Sequence, residues 1–220
     1  MSKRHPDYIV VEGPIGVGKT TLAKRLAKSF DTELMLELAT ENPFLPRFYS
    51  DPKTVALPTQ LFFLFQRAKQ IESLRQKDMF RPIQVSDFLI EKDKLFASVN
   101  LDNDELTLYQ QVYDRLTIDA QAPDLVIYLQ APTETLMQRI MERGYDYERA
   151  INYSYLKKIS DAYIDFFYSY TMSPLLIVNT DDFDLSRDEK IIICYWSISV
   201  AYHQGGIILI QSSYESENNN

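Results

Sequence analysis

The stretch "GPIGVGKT", Gly13 to Thr20, limits the possible folds of this chain more than any other segment. It fits the spacing G-x-x-x-x-G-K-[ST]. Gly13, Gly16 and Gly18 bare the backbone so that N–H groups can face phosphate oxygens, and Val17 and Thr21 belong to the same nucleotide-binding stretch. Lys19 is suited to reach the β- and γ-phosphates of ATP, and the Thr20 hydroxyl to ligate Mg²⁺. The apolar run "DYIVVE" precedes the glycines, while Leu22, Ala23, Leu26, Ala27 and Phe30 recur at helical spacing behind them. Strand, loop and helix in that order place an anion at the positive end of a helix.

The rest of the chain supplies material for a sheet around that unit. Five strand-like runs occur: "YIVVE" (8–12), "LMLEL" (34–38), "PIQVS" (82–86), "LVIYLQ" (125–130) and "LLIVN" (175–179). Between them lie segments of helical period at 54–77, 103–118, 133–143 and 154–168, the first interrupted near its start by Pro58. Such alternation predicts an α/β P-loop fold, a five-stranded parallel sheet with helices on both faces. Ligands of such sheets bind beyond the carboxyl ends of the strands. The expected domain covers 1–190, and 191–220 is an atypical tail whose "SYESENNN" end is expected to be disordered.

Composition narrows the partners. With 220 residues, 45% of them hydrophobic, the chain suits one domain with a full core. A net charge of -8 argues against a polymeric nucleic acid, which needs a basic face, but not against nucleotides. Cys194 is the single cysteine, so a reducing cytoplasm is expected. The start "MSKRHPDY" lacks an apolar core, so no signal peptide is expected. Residues 191–210 are long enough to span a membrane, yet Trp196, Ile198, Val200 and Tyr202 alternate with small or polar residues. That alternation, with Gly205-Gly206 as a turn, favours a hairpin and no membrane span.

Residues just after the strands are the candidates for chemistry. Glu37 lies at the end of the second and Asp87 follows the third; one could accept the proton of an attacking hydroxyl, the other help to hold Mg²⁺. Either alone could merely cap a helix. After the fourth strand, Arg139 and Arg143 share a helical face and could close over a transferring phosphoryl group, or form a solvated face beside Glu142 and Glu148. Gln60 and Arg67 lie about two turns apart on one helix, and a glutamine amide suits a nucleobase edge.

Together these residues resemble the deoxynucleoside kinase family, the relatives of deoxycytidine, deoxyguanosine and bacterial deoxyadenosine kinases, from about residue 7 to about 188. The resemblance implies that Glu37 takes the proton from the substrate 5′-hydroxyl, that Tyr49 and Glu148 meet the sugar 3′-hydroxyl, and that Gln60, Arg67 and Asp93 surround the base. It implies a lid bearing Arg139 and Arg143, Asp182 and Phe183 near the donor's base, a homodimer, and a preference for amino-bearing bases over thymine. Two regions depart from the pattern. The family usually reads Glu-Arg-Ser or Asp-Arg-Ser after the third strand, whereas this chain has Asp87-Phe88-Leu89, with Lys92 or Lys94 as possible substitutes for the missing cation. The apolar run from Ile191 replaces an expected amphipathic helix. Two alternatives stay open: a nucleoside monophosphate kinase of the thymidylate kinase kind, and a regulatory module that kept the nucleotide cradle but lost catalysis.

Overall fold

A five-residue strand that is buried end to end organises the molecule: β1 (Tyr8–Glu12). The computed structural model describes residues 6–75, 84–116, 121–181 and 207–210. On one side β1 pairs in parallel with β3 (Gln84–Ser86), on the other with β4 (Leu125–Gln130). β2 (Glu33–Met35) extends the sheet beyond β3, and β5 (Leu175–Asn179) and β6 (Ile207–Ile210) extend it beyond β4. The order is β2-β3-β1-β4-β5-β6, parallel throughout.

The period-two geometry of β1 divides the core. Ile9 and Val11 pack with Leu22 and Leu26 of α1 (Lys19–Phe30) and with Leu136 and Ile140 of α6 (Thr133–Arg143). Tyr8 and Val10 point the other way, into a cluster with Leu95 of α4 (Lys92–Asn100) and with Ile159, Tyr163 and Phe167 of α7 (Tyr153–Tyr168). Each fully buried Ile or Val contributes about 1.5–3 kcal/mol, so the central strand holds both helical layers. A further cluster joins α3 (Pro52–Arg75) to α5 (Asn103–Leu116) through Leu64, Tyr109 and Tyr113.

The expected five strands all form, and the structure adds a sixth. Ile207–Ile210 lies in the segment assigned to a separate tail, yet it pairs in parallel with β5, so the sheet crosses the expected boundary at 190. Trp196 to Tyr202 of the expected hairpin, and the polar end, lie outside the described residues. Among the described residues no helix is long and apolar enough to cross a membrane. α3 runs through Pro58 without a break; the Thr59 hydroxyl donates to the Val55 carbonyl at 2.6 Å. α4 was not expected, because its nine residues bury Lys92 and Asp93 and so show little helical amphipathicity.

β2 ends at Met35, earlier than the pattern suggests. The Glu37 N–H donates to Asp87 Oδ1 at 2.7 Å, so a carboxylate takes the place of a neighbouring strand and turns the chain out of the sheet. The phosphate loop is set against the far side of the same edge. Gly13 has φ +149, and a Cβ there would lie 2.3 Å from the Leu129 carbonyl oxygen at the end of β4. At Gly16, φ is +86 and a Cβ would meet the Leu136 carbonyl oxygen of α6 at 2.8 Å. No other residue fits so close an approach.

Candidate active site

The phosphate half of the site is local. Gly18 caps α1 with a left-handed backbone, φ 102, which aims the first turn of the helix across the strand ends. The Lys19 ammonium donates to the carbonyls of Gly13 at 2.7 Å and Pro14 at 3.1 Å, curling over the loop in which a phosphate would lie. Val17 is fully buried and does not line the cleft. The Gly13 N–H does not face the cradle: it donates to Glu12 Oε1 at 2.8 Å, so one of the three glycine donors expected for phosphate is already committed. Glu12 is itself fully buried and also accepts from the Leu89 N–H at 2.8 Å and the Tyr163 hydroxyl at 2.9 Å.

Thr20 and Asp87 stand together as a divalent cation would require. The Thr20 hydroxyl donates to Asp87 Oδ2 at 2.5 Å. Burial pushes the Asp87 carboxyl up, against the hydrogen bonds from Thr20 and the Glu37 backbone. A hard cation between them would relieve that desolvation, and a hydroxyl plus a carboxylate is an oxygen donor set that suits Mg²⁺.

The acceptor half gathers residues from across the chain around a cleft of about 470 Å³ that runs from Lys19 and Thr20 to Gln60 and Tyr155. Glu37 stands where the halves meet. Arg67 of α3 bonds Glu37 Oε1 through Nη2 and Asp93 Oδ1 through Nη1, and Lys92 of α4 donates to Glu37 Oε2 at 2.8 Å. Burial alone would raise the Glu37 carboxyl, but Arg67 and Lys92 overcome it and hold the group well below the usual carboxylate range. Lys19 is shifted down by burial and then by Lys92. Gln60, 3% exposed, lines the cleft and its amide makes no hydrogen bond among the described residues. Arg67 Nε and Asp93 Oδ2 are buried without partners as well, which leaves a donor and an acceptor for a ligand.

The opposite wall is aromatic and acidic. Tyr49 meets Phe48 and Tyr155 edge to face, with ring centroids at 5.3 and 6.1 Å. Glu148 lies in a 3-10 turn, Asp146–Glu148, and receives the Arg143 guanidinium at 2.6 and 3.1 Å. Burial raises the Glu148 carboxyl and Arg143 opposes that shift. Tyr49 is pushed well up, by burial first and then by Tyr155 and Glu148.

A family model described as deoxynucleoside kinase matches residues 9–193. The chain belongs to the deoxynucleoside kinase family. A deoxyguanosine kinase from Bacillus subtilis (strain 168) is 36% identical over 158 residues, covering 71% of this chain and 76% of its own length. A deoxyadenosine/deoxycytidine kinase from the same strain is 30% identical over 192 residues, 83% of this chain and 86% of its own. The solved deoxyadenosine kinase from M. mycoides with bound dATP superimposes with a TM-score of 0.74 at 24% identity, over 88% of this chain and 98% of that one, a likeness of fold. The protein is a phosphotransferase of the deoxynucleoside kinase type, and the regulatory-module alternative gives way to that finding.

Not every residue expected in the kinase site comes into the cleft. Arg143 lines it, whereas Arg139 is turned to the end of β5, where it donates to Thr180 Oγ1 at 3.0 Å and to the Thr180 carbonyl at 2.6 Å. The two arginines share a helix but diverge because each finds a different acceptor. Asp182 and Phe183 lie outside the described residues. Phe88 is fully buried in the α4–α7 cluster, so its position holds a core ring. Lys94 faces outward, 3.7 Å from Asp114 and 47% exposed. Of the two lysines offered as substitutes for the missing arginine, Lys92 lines the cleft and Lys94 does not. Glu12, buried beneath the phosphate loop, escaped the sequence reading; its signal was one acid ending an otherwise apolar strand.

Proposed function

We propose that this kinase transfers the γ-phosphoryl group of ATP to the 5′-hydroxyl of a deoxynucleoside. One observation supports it above all: in one cleft Glu37 stands between Lys19, Thr20 and Asp87 on one side and Gln60 and Arg67 on the other, with Asp93 buried behind Arg67. Lys19 and the first turn of α1 bind the donor phosphates, and Glu37 accepts the proton of the attacking hydroxyl. Thr20 and Asp87 hold Mg²⁺, which when bound neutralises charge on the phosphates. Tyr49 and Glu148 receive the sugar 3′-hydroxyl, and Arg143 with Arg139 forms the lid. Asp182 and Phe183 belong to the donor-base side.

Gln60, Arg67 and Asp93 favour a base with an exocyclic amine, so deoxyguanosine, deoxyadenosine or deoxycytidine is the acceptor ahead of thymidine. The names of the relatives, deoxyguanosine and deoxyadenosine/deoxycytidine kinases, agree with that choice. A monophosphate acceptor fits less well, because Arg67 and Lys92 at the acceptor end already bond carboxylates. The working form is a cytoplasmic homodimer. Labelled ATP offered with a panel of deoxynucleosides and monophosphates tests the reading. Label on an amino-bearing deoxynucleoside supports it; a thymidine or monophosphate preference in kcat/KM overturns the acceptor assignment.

A further inference from the structure

We propose that Lys92 is a positioning residue of this site, fixing the Glu37 carboxylate from the α4 side while a nucleoside hydroxyl takes the other oxygen. The inference deepens the kinase reading and rests on it. Lys92 is a buried ammonium, 2% exposed, on a helix that shapes the cleft. It lies 2.8 Å from Glu37 Oε2, while its other carboxylate neighbour, Glu12 Oε2, is 3.8 Å away and already accepts the Leu89 N–H. Just before α4, Phe88 puts an apolar ring into the core, and Lys94 is committed to the surface. Lys92 is therefore the cation that this wall directs at Glu37.

The two donors on Glu37 are not equivalent. Arg67 has a second carboxylate, Asp93, to which it stays bonded if it releases Oε1. Lys92 has no such close second partner among the described residues. An incoming hydroxyl therefore displaces Arg67 more readily, takes Oε1, and leaves Oε2 on Lys92. The groups facing Glu37 are Arg67 from α3, Lys92 from α4, Lys19 from α1 and Asp87 at the end of β3. Tyr49 and Tyr147 also couple to it, Tyr163 and Glu12 lie beyond Lys92, and Glu148 stands across the cleft. Only Lys92 and Arg67 bond its carboxylate oxygens among the described residues.

The test is a double-mutant cycle on the full chain. Lys92→Met is expected to lower kcat by about ten- to a hundredfold, with the KM for ATP changed by less than about twofold. In a Glu37→Gln background the same change is expected to cost less than about threefold, and Lys92→Arg to restore most of the turnover. Full, additive losses in both backgrounds, or no recovery of turnover in Lys92→Arg, overturn the proposal. Lys92→Gln, which keeps a donor without the charge, serves if the methionine variant does not fold. A crystal structure of the Lys92 variant needs no turnover: the Glu37 carboxylate leaves the position it holds beside Lys92 if the proposal holds and is unmoved if not. Silence of the wild type towards every nucleoside would end the kinase reading, while that variant structure would still decide the role of Lys92.

Discussion

The two halves of the cleft are held by different means. The donor half is eight consecutive residues whose geometry is covalent and backbone in origin: glycines at positive φ, a loop packed on Leu129, and a helix end. The acceptor half is assembled from α3, α4 and the ends of β2 and β3, and its members are charges that compensate one another: Glu37 with Arg67 and Lys92, Asp93 with Arg67. A backbone cradle tolerates loss of a side chain because its donors remain. A buried charge network does not, since removing one member leaves another desolvated and unpaired.

The largest expected effect tests that contrast in stability. Asp93 is fully buried and Arg67 4% exposed, so Asp93→Ala leaves a guanidinium without one of its two carboxylates. Breaking such a pair costs about 3–5 kcal/mol, read as a shift in the denaturation midpoint. A loss below about 1 kcal/mol would mean the acceptor half is not locked by charge.

Next comes chemistry. Glu37→Gln should lower kcat by roughly a hundredfold or more, about 2.7 kcal/mol, with ATP binding near normal because the donor half is untouched. Unchanged turnover would remove Glu37 from the reaction. Phe88→Arg probes the boundary between site and core. The ring packs with Tyr163 and Ile159, so a guanidinium there should cost about 1–3 kcal/mol in stability without raising kcat. Higher turnover at an unchanged melting temperature would show instead that this wall admits a cation.

The smallest effect is a pH dependence. Burial would raise Glu37, yet Arg67 and Lys92 hold it below the usual range in the folded chain. A depressed carboxyl stabilises the fold above its unfolded value, about pH 4.3, and that contribution declines as pH falls towards the folded value. The melting-temperature gap between wild type and Glu37→Gln should therefore be constant from pH 7 to about 5 and shrink below about 4.3. A gap that stays constant down to pH 3 would show that Glu37 is not the ionised partner.

Legibility in the sequence follows the same division. The phosphate loop, the order of the five expected strands and the helices after β1 and β4 could be read because each is local, set by glycine geometry or by hydrophobic period. Glu37 and Asp87 were found by one step further, as acids just past strand ends. α4 was missed because it buries a lysine and an aspartate that the periodic signal counts as solvent-facing. The segment after Gly205-Gly206 was expected only as an arm of a hairpin; its parallel pairing with β5, about thirty residues earlier, was missed because such pairing leaves no local mark.

The sequence by itself determined that this chain wraps a phosphate loop in a parallel sheet and offers acids at the strand ends, because those signals reside in neighbouring residues. Only the tertiary structure decided which side chains share the cleft. It sent Arg139 to Thr180 and Arg143 to Glu148, put Phe88 into the core, and brought Lys92 to Glu37 across 55 positions of chain. The physical reason is desolvation: once Glu37 is buried, its charge must be met by cations from α3 and α4, and their arrival depends on how those helices pack.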